Sequence, residues 1–207
     1  PLSEVQVDRL AGHVDLMLKW NAKVNLTRIT EPREVRVKHV LDSLGALPLV
    51  PTGPVTLLDL GAGAGFPGIP FLCVRPELSV TLVDTVGKKV AFLKSALASL
   101  GLKGKGVQTR CEGNPAKEGL VPADVVVSRA FMELGGVLNL ATPYLNPGGC
   151  VIAMLGPREE PEQMASVAEA RGYSIQAQTS FDLPEGMGKR RVLRLVPRGT
   201  TPQNGPH

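Results

Sequence analysis

The sequence predicts an α/β fold: a mostly parallel, seven-stranded sheet flanked by helices and preceded by an N-terminal helical extension. Three observations predict it. The first fifty or so residues, roughly, carry only helical periodicity. From Val55 onward, short β-branched or leucine-rich runs alternate with helical stretches. Finally, a glycine-rich loop from Gly61 to Gly68 stands at the carboxyl end of the first such run, where this architecture brings bare backbone against a nucleotide.

In chain order, Ser3 and Gln6 have the form of a capping box, and Val7, Leu10, Ala11, Val14 and Met17 recur at helical spacing up to Trp20. After a loop from Asn21 to Ile29, Pro32 sits where a first helical residue is favoured. Val37, Val40, Leu41 and Leu44 then continue a second helix that stops near Pro48. Strands are expected at Val55–Leu60, Val80–Val83, Gly106–Cys111, Asp124–Val127 and Cys150–Leu155, with a closing hairpin at Ser174–Phe181 and Arg191–Val196. Helices are expected at Pro67–Val74, Lys88–Leu100, Leu134–Leu145 and Glu160–Ala170; Asn146-Pro147-Gly148-Gly149 ends the third of these. This divides the chain into an extension (1–50), a cofactor-binding domain (51–197) and an irregular tail (198–207).

The length of 207 residues suits one domain that buries roughly two thirds of its unfolded surface. No apolar run approaches the roughly 20 residues of a membrane helix, and the N-terminus does not read as a secretory signal. Cys73, Cys111 and Cys150 are odd in number and far apart, which argues against a disulfide framework or a zinc site and fits a reducing cytoplasm. No metal is expected, because His13 and His39 lack partners at ligand spacing. The net charge of +4 is compatible with a phosphate-bearing partner without requiring one.

Some 16 residues past Gly68, Asp84 ends the second strand, where a carboxylate can accept both ribose hydroxyls of an adenosine. Gly63-Ala64-Gly65-Phe66-Pro67-Gly68 also satisfies the dinucleotide pattern, so the glycines alone admit a nicotinamide cofactor or S-adenosylmethionine. Three features favour S-adenosylmethionine. Asp59 directly precedes the loop, Phe66 and Pro67 crowd the place a pyrophosphate would occupy, and Glu112 after the third strand can accept from an adenine amino group. In this reading Gly63 and Gly65 are bare because a Cβ would strike the ligand. The expected fold is therefore the Rossmann-like class I methyltransferase.

Ser128-Arg129-Ala130 follows strand four, so Arg129 is the candidate catalytic residue, facing cofactor and acceptor. No Asn-Pro-Pro-Tyr type of tetrapeptide follows that strand, and no cysteine adjoins a proline to serve as a cytosine nucleophile. A purine N7 fits such a site. Its lone pair is already nucleophilic, and catalysis then reduces mainly to proximity and orientation.

Trp20-Asn21, Asn25-Leu26-Thr27, Ile29, His39 with Asp42-Ser43, the run Asp59 to Pro70, Arg75-Pro76-Glu77, Asp84 with Lys88-Lys89, and Ser128-Arg129-Ala130 closely resemble the RsmG (GidB) family. The resemblance runs from about Trp20 to Pro157. It implies a cytoplasmic bacterial enzyme that methylates N7 of one guanine in 16S ribosomal RNA, with the cofactor touched by Gly61, Phe66, Cys111, Glu112 and Arg129. Leu155 stands where many relatives carry lysine, so no role of that lysine carries over. The tail from Pro197 matches the family's basic ending only loosely.

Arg33, Arg36, Lys38 and His39, then Lys88 and Lys89, then Lys189-Arg190-Arg191 are candidate contacts to RNA phosphates. Aromatic residues, at 4% of the chain, are too few for a stacking platform, so shape and one extruded guanine are expected to carry recognition. Asn25 and Thr27 are the candidates for touching that base. The expected partner is 16S ribosomal RNA or the small subunit, bound by a monomer. A nicotinamide-dependent oxidoreductase and a non-catalytic RNA-binding module are the two alternatives.

Overall fold

The computed structural model describes residues 1–129, 132–156 and 161–199. Ala130, Pro157, the first residue of the helix expected from Glu160, and the tail from Thr200 lie outside the described residues.

Helix α1 (Glu4–Val24) opens on the expected capping box: Gln6 N–H donates to Ser3 Oγ, and Ser3 N–H donates to Gln6 Oε1. It runs past Trp20 to a C-cap at Asn25, which is left-handed (φ 52) and donates its N–H to the Asn21 carbonyl. The second helix is not a single α-helix. Its turns are α2 (Pro32–Val35), a π-helical segment (Arg36–Leu41) and α3 (Asp42–Ala46), in unbroken succession. A wide π turn inside a helix is a recurrent mark of functional segments. Here it carries Lys38 and His39.

Seven strands, β1 (Thr56–Leu60), β2 (Ser79–Asp84), β3 (Gly104–Gln108), β4 (Ala123–Arg129), β5 (Leu145–Leu155), β6 (Tyr173–Asp182) and β7 (Lys189–Pro197), form one sheet in the order β3-β2-β1-β4-β5-β7-β6. The first five pair in parallel, and β7 runs antiparallel to β5 and β6 as the expected closing hairpin. Helices α4 (Gly68–Val74), α5 (Gly87–Ser99), α6 (Leu134–Ala141) and α7 (Pro161–Ala170) complete the architecture.

Both faces of the sheet are buried, which is why its central strands read as continuous apolar runs. Leu57, Val125, Val127 and Ile152 share one core with Leu10, Val14 and Met17 of α1 and Phe92 and Leu97 of α5. The alternate residues Leu58, Val126 and Val151 share the other with Leu138 of α6 and Met164 and Ala168 of α7. The N-terminal helix thus completes the apolar layer on one face.

Most boundaries fall within a residue or two of expectation, and two of the differences bear on the site and its surroundings. The third strand occupies Gly104–Gln108, not Gly106–Cys111, so Cys111 and Glu112 lie in the loop beyond it. A Cβ on Gly104 would come within 2.9 Å of Leu72 and Leu97, so this strand uses glycine for close packing rather than β-branched residues. Likewise α6 ends at Ala141, a 3-10 turn spans Thr142–Tyr144, and Pro147-Gly148-Gly149 lies within the early part of β5.

The strand order reverses between β1 and β4. Ligands of open α/β sheets bind at the crevice outside the carboxyl ends of such strands, and here Leu60 pairs with Ser128 at that point.

Candidate active site

The chain leaves β1 at Leu60 and turns sharply, with Gly61 and Ala62 donating their N–H groups to the Val83 carbonyl of β2. Gly63 (φ +58) then donates its N–H to Asp84 Oδ2 at 3.0 Å, while Val86 N–H donates to Asp84 Oδ1 at 2.9 Å. Lys89 Nζ lies 3.7 Å from the same carboxylate. The carboxylate is therefore already oriented by two backbone donors at the mouth of the glycine loop.

The loop's glycines divide by purpose. A Cβ on Gly63 would meet only the Gly61 carbonyl, at 3.8 Å, so its bare face is open to a ligand. A Cβ on Gly65 (φ +86) would strike Ile69 Cδ1 at 2.5 Å and approach His13 Nε2 at 3.2 Å. Gly65 is bare to let α4 and α1 pack, which corrects the expectation that a Cβ there would strike the ligand. Gly68 is similar, since a Cβ there would lie 2.3 Å from Leu82 Cδ2.

Beneath the loop, Asp59 Oδ2 accepts the Gly68 N–H at 2.9 Å, while its Oδ1 is buried without a hydrogen-bond partner among the described residues. Burial pushes this carboxyl up to about 7, against the lowering effect of the Gly68 N–H and Arg129. A buried acid of this kind answers to any cation that arrives beside it.

A cavity of about 530 Å³ opens from the loop and is lined by Gly61, Asp84, Val86, Cys111, Glu112 and Met132, among others. Its size is that of a nucleoside-type site. The Cys111–Glu112 wall is held by residues that sequence reasoning missed. Glu118 Oε1 accepts from Glu112 N–H at 2.9 Å and Asn114 N–H at 3.0 Å, and the buried Tyr144 hydroxyl accepts from Gly113 N–H at 2.8 Å. Tyr144 in turn donates to Glu118 Oε2. No spacing in the chain marks this alliance, because Tyr144 comes from the turn after α6.

Arg129 does not line that cavity. It lies over the Phe66 ring, 5.5 Å from the centroid, and Phe66 is itself packed between His13 at 4.6 Å and His39 at 4.8 Å. The Phe66 ring is only 2% exposed, so the loop backbone and not this side chain meets the cavity. Arg129 donates from one guanidinium nitrogen to the Lys38 carbonyl at 3.1 Å, and the same nitrogen lies 3.1 Å from His39 Nδ1 and 3.4 Å from Asp42 Oδ2. Arg190 Nε, from β7, lies 3.3 Å from the other Asp42 oxygen. Burial raises the Asp42 carboxyl even though two arginines oppose that shift. Burial and the Arg129 charge push His39 down to about 3. His39, Asp42 and Ser43, at helical spacing, are the sequence signal for this cluster, since i, i+3 and i+4 share a face.

A second, wider cleft is lined by Asn21, Asn25, Thr27, Arg28, Thr30 and Lys89. It shares Lys89, whose ammonium lies 3.7 Å from Asp84, with the nucleoside-sized cavity. The structure thus brings Asn25, Thr27 and Lys89 together. Arg36 and Lys88 are exposed, on the π segment and at the start of α5. Arg190 is instead paired with Asp42 and lines a cavity with Lys38, His39 and Arg129. Cys73 and Cys150 are buried core residues. Among the described residues no group of three or more His, Cys, Asp or Glu is placed to hold a metal ion, and no helix is long and apolar enough to cross a membrane.

This architecture is shared with solved structures. A methyltransferase from Aquifex aeolicus described as SAM-dependent superposes with a TM-score of 0.60 at 18% identity, over 83% of this chain and 97% of its own. A SAM-dependent methyltransferase from Geobacter sulfurreducens in complex with S-adenosyl-L-homocysteine gives a TM-score of 0.59 at 15% identity, over 89% of this chain and 98% of its own. At those identities the likeness shows the fold.

Sequence relatives are much nearer. The Myxococcus xanthus protein named ribosomal RNA small subunit methyltransferase G is 53% identical over 185 residues, covering 89% of this chain and 85% of its own. A protein of the same name from Anaeromyxobacter sp. is 44% identical over 94% of this chain and 90% of its own. The family profile described as GidB, rRNA small subunit methyltransferase G, matches residues 6–190. The chain belongs to the GidB family of rRNA small subunit methyltransferase G proteins.

Proposed function

We propose that the chain transfers the methyl group of S-adenosylmethionine to N7 of one guanine in 16S ribosomal RNA, acting in the cytoplasm. The observation that carries this reading is that Lys89 lines two clefts at once: one nucleoside-sized, beside the glycine loop, and one open, lined by Asn25 and Thr27. A donor in the first and an extruded base in the second would meet beside Lys89.

The residues fit the cofactor. Asp84, oriented by the Gly63 and Val86 N–H groups, would accept ribose hydroxyls. Glu112 would accept from the adenine amino group on the wall that Glu118 and Tyr144 brace, with Cys111 beside it. Gly61 and Gly63 would present backbone to the ligand, and the buried Asp59 carboxyl, raised to about 7, would ionise as a cation arrives beside it. When bound, the cofactor supplies a sulfonium methyl open to in-line attack. The protein then has little proton chemistry to perform, since N7 attacks with a lone pair. Its contribution is alignment and exclusion of water.

Arg129 acts as a positioning residue, pinning the Lys38–Asp42 turns over Phe66 and so fixing the acceptor cleft against the loop. Arg36, Lys88 and Lys89 would meet RNA phosphates around the cleft. A nicotinamide dinucleotide is poorly served. The buried Phe66 and Pro67 fill the start of α4, where a pyrophosphate needs open N–H groups.

The test is incubation with methyl-labelled S-adenosylmethionine and small subunits from cells lacking the modification. Label is expected in the 16S RNA and not in ribosomal protein; label in protein alone would overturn the reading.

A further inference from the structure

The polarity of the acceptor cleft can be followed atom by atom from Arg129. A guanidinium only donates, and one of its nitrogens lies 3.1 Å from His39 Nδ1. The Nδ1 of His39 therefore presents its lone pair. A proton there would set two donors against each other 3.1 Å apart, a repulsion that the Lys38 carbonyl, 3.2 Å from the same ring nitrogen and already accepting from Arg129, does not relieve. The neutral imidazole then carries its proton on Nε2, which lies 3.1 Å from Thr27 Oγ1 and donates to it. A second donor, the Ile29 N–H, reaches the same oxygen at 3.2 Å. Both lone pairs of the Thr27 hydroxyl are thus engaged. Only its hydrogen remains, so Thr27 can act toward a ligand solely as a donor.

The residue is half-buried and lines the cleft with Asn25 and Lys89. Its backbone is held as well, because Thr27 N–H donates to Asn21 Oδ1 at 2.8 Å. On a purine, the position next to N7 along this edge carries an oxygen in guanine and an amino group in adenine. A donor fixed in polarity pairs with the first and opposes the second.

We infer that the Thr27 hydroxyl is a specificity-determining donor that selects a purine bearing oxygen at position 6, and that the Arg129–His39–Thr27 relay fixes its direction. The inference rests on the proposed function, in which a guanine N7 is the acceptor. His39 and Arg129 are positioning residues in this scheme, acting on the base through Thr27.

The test compares kcat/KM on small-subunit RNA carrying guanine at the target with the same RNA carrying 2-aminopurine, which keeps N7 and lacks the oxygen. The wild-type protein is expected to prefer guanine by about tenfold, the worth of one well-made hydrogen bond. Thr27→Val, which keeps the shape and removes the donor, should bring the ratio near one, and Thr27→Ser should recover it. Binding of S-adenosylhomocysteine should be the same in all three, which a general loosening of the site would not allow. A wild-type ratio near one, or a Thr27→Val ratio equal to wild type, overturns the inference while leaving RNA methylation intact. Absence of transfer to the guanine RNA by the wild-type protein overturns the proposed function itself. Nitrogen NMR of His39 tests the relay without any variant: a proton on Nε2 is expected, and one on Nδ1 overturns it.

Discussion

Replacing Asp59 by Asn probes the buried acid under the glycine loop. The unfolded chain ionises this carboxyl near 3.8, and the fold raises it to about 7, chiefly by burial. A raised acid binds its proton more tightly in the folded state. Below about 3.8 both states are protonated and the group contributes nothing to the pH dependence of folding. Between 3.8 and 7 the folded state holds the extra proton, so stability falls as pH rises, and above 7 the loss is complete. The separation of the two values corresponds to about 4 kcal/mol. Asp59→Asn retains an acceptor for the Gly68 N–H and cannot ionise. Urea denaturation from pH 4 to pH 8 should therefore show the wild type losing several kcal/mol relative to the variant as pH rises. The same acid should titrate against the ligand. A cationic cofactor beside Asp59 draws the carboxyl down, so binding near pH 6.5 should release a proton, detectable by calorimetry in buffers of different ionisation enthalpy. Parallel stability curves for the two proteins, with no proton release, would refute the reasoning.

The two kinds of glycine separate in a pair of substitutions. Gly65→Ala should lower stability by about 2–4 kcal/mol in a denaturant melt, from left-handed strain plus the clash with Ile69. Gly63→Ala should cost only about 1–2 kcal/mol of strain but weaken S-adenosylhomocysteine binding tenfold or more, because its methyl fills the open face. Tyr144→Phe removes the acceptor for Gly113 N–H and a donor to Glu118. It should weaken cofactor binding roughly tenfold in a calorimetric titration, as the Glu112 wall loosens. Arg129→Ala should lower kcat/KM on RNA by about a hundredfold, the effect of misplacing the acceptor cleft by an ångström, while changing S-adenosylhomocysteine affinity far less.

Legibility followed the range of the contacts involved. The glycine loop and Asp84 were readable because a short stretch of backbone dictates both, and each lies close in sequence to what it serves. The closing hairpin was readable from alternation. The third strand reads two residues late because Gly104 has low strand propensity, which close packing against Leu72 and Leu97 overrides. Gly65 shows a residue type read correctly for the wrong reason, since only the structure reveals that Ile69 and His13 fill the space. Arg129 was located at the right strand end, but its partner Asp42 lies 87 residues away, and no local pattern joins them. The Tyr144 brace was silent for the same reason, 31 residues from Gly113.

The most direct measurement is the position of the methyl group. Small subunits lacking the modification, incubated with the protein and S-adenosylmethionine, should acquire one N7-methylguanine in 16S RNA, revealed by chemical scission selective for that base and absent with Asp84→Ala. Methylation at another atom or another base, or scission at many guanines, would contradict a built cleft that aligns a single extruded guanine N7 with the cofactor.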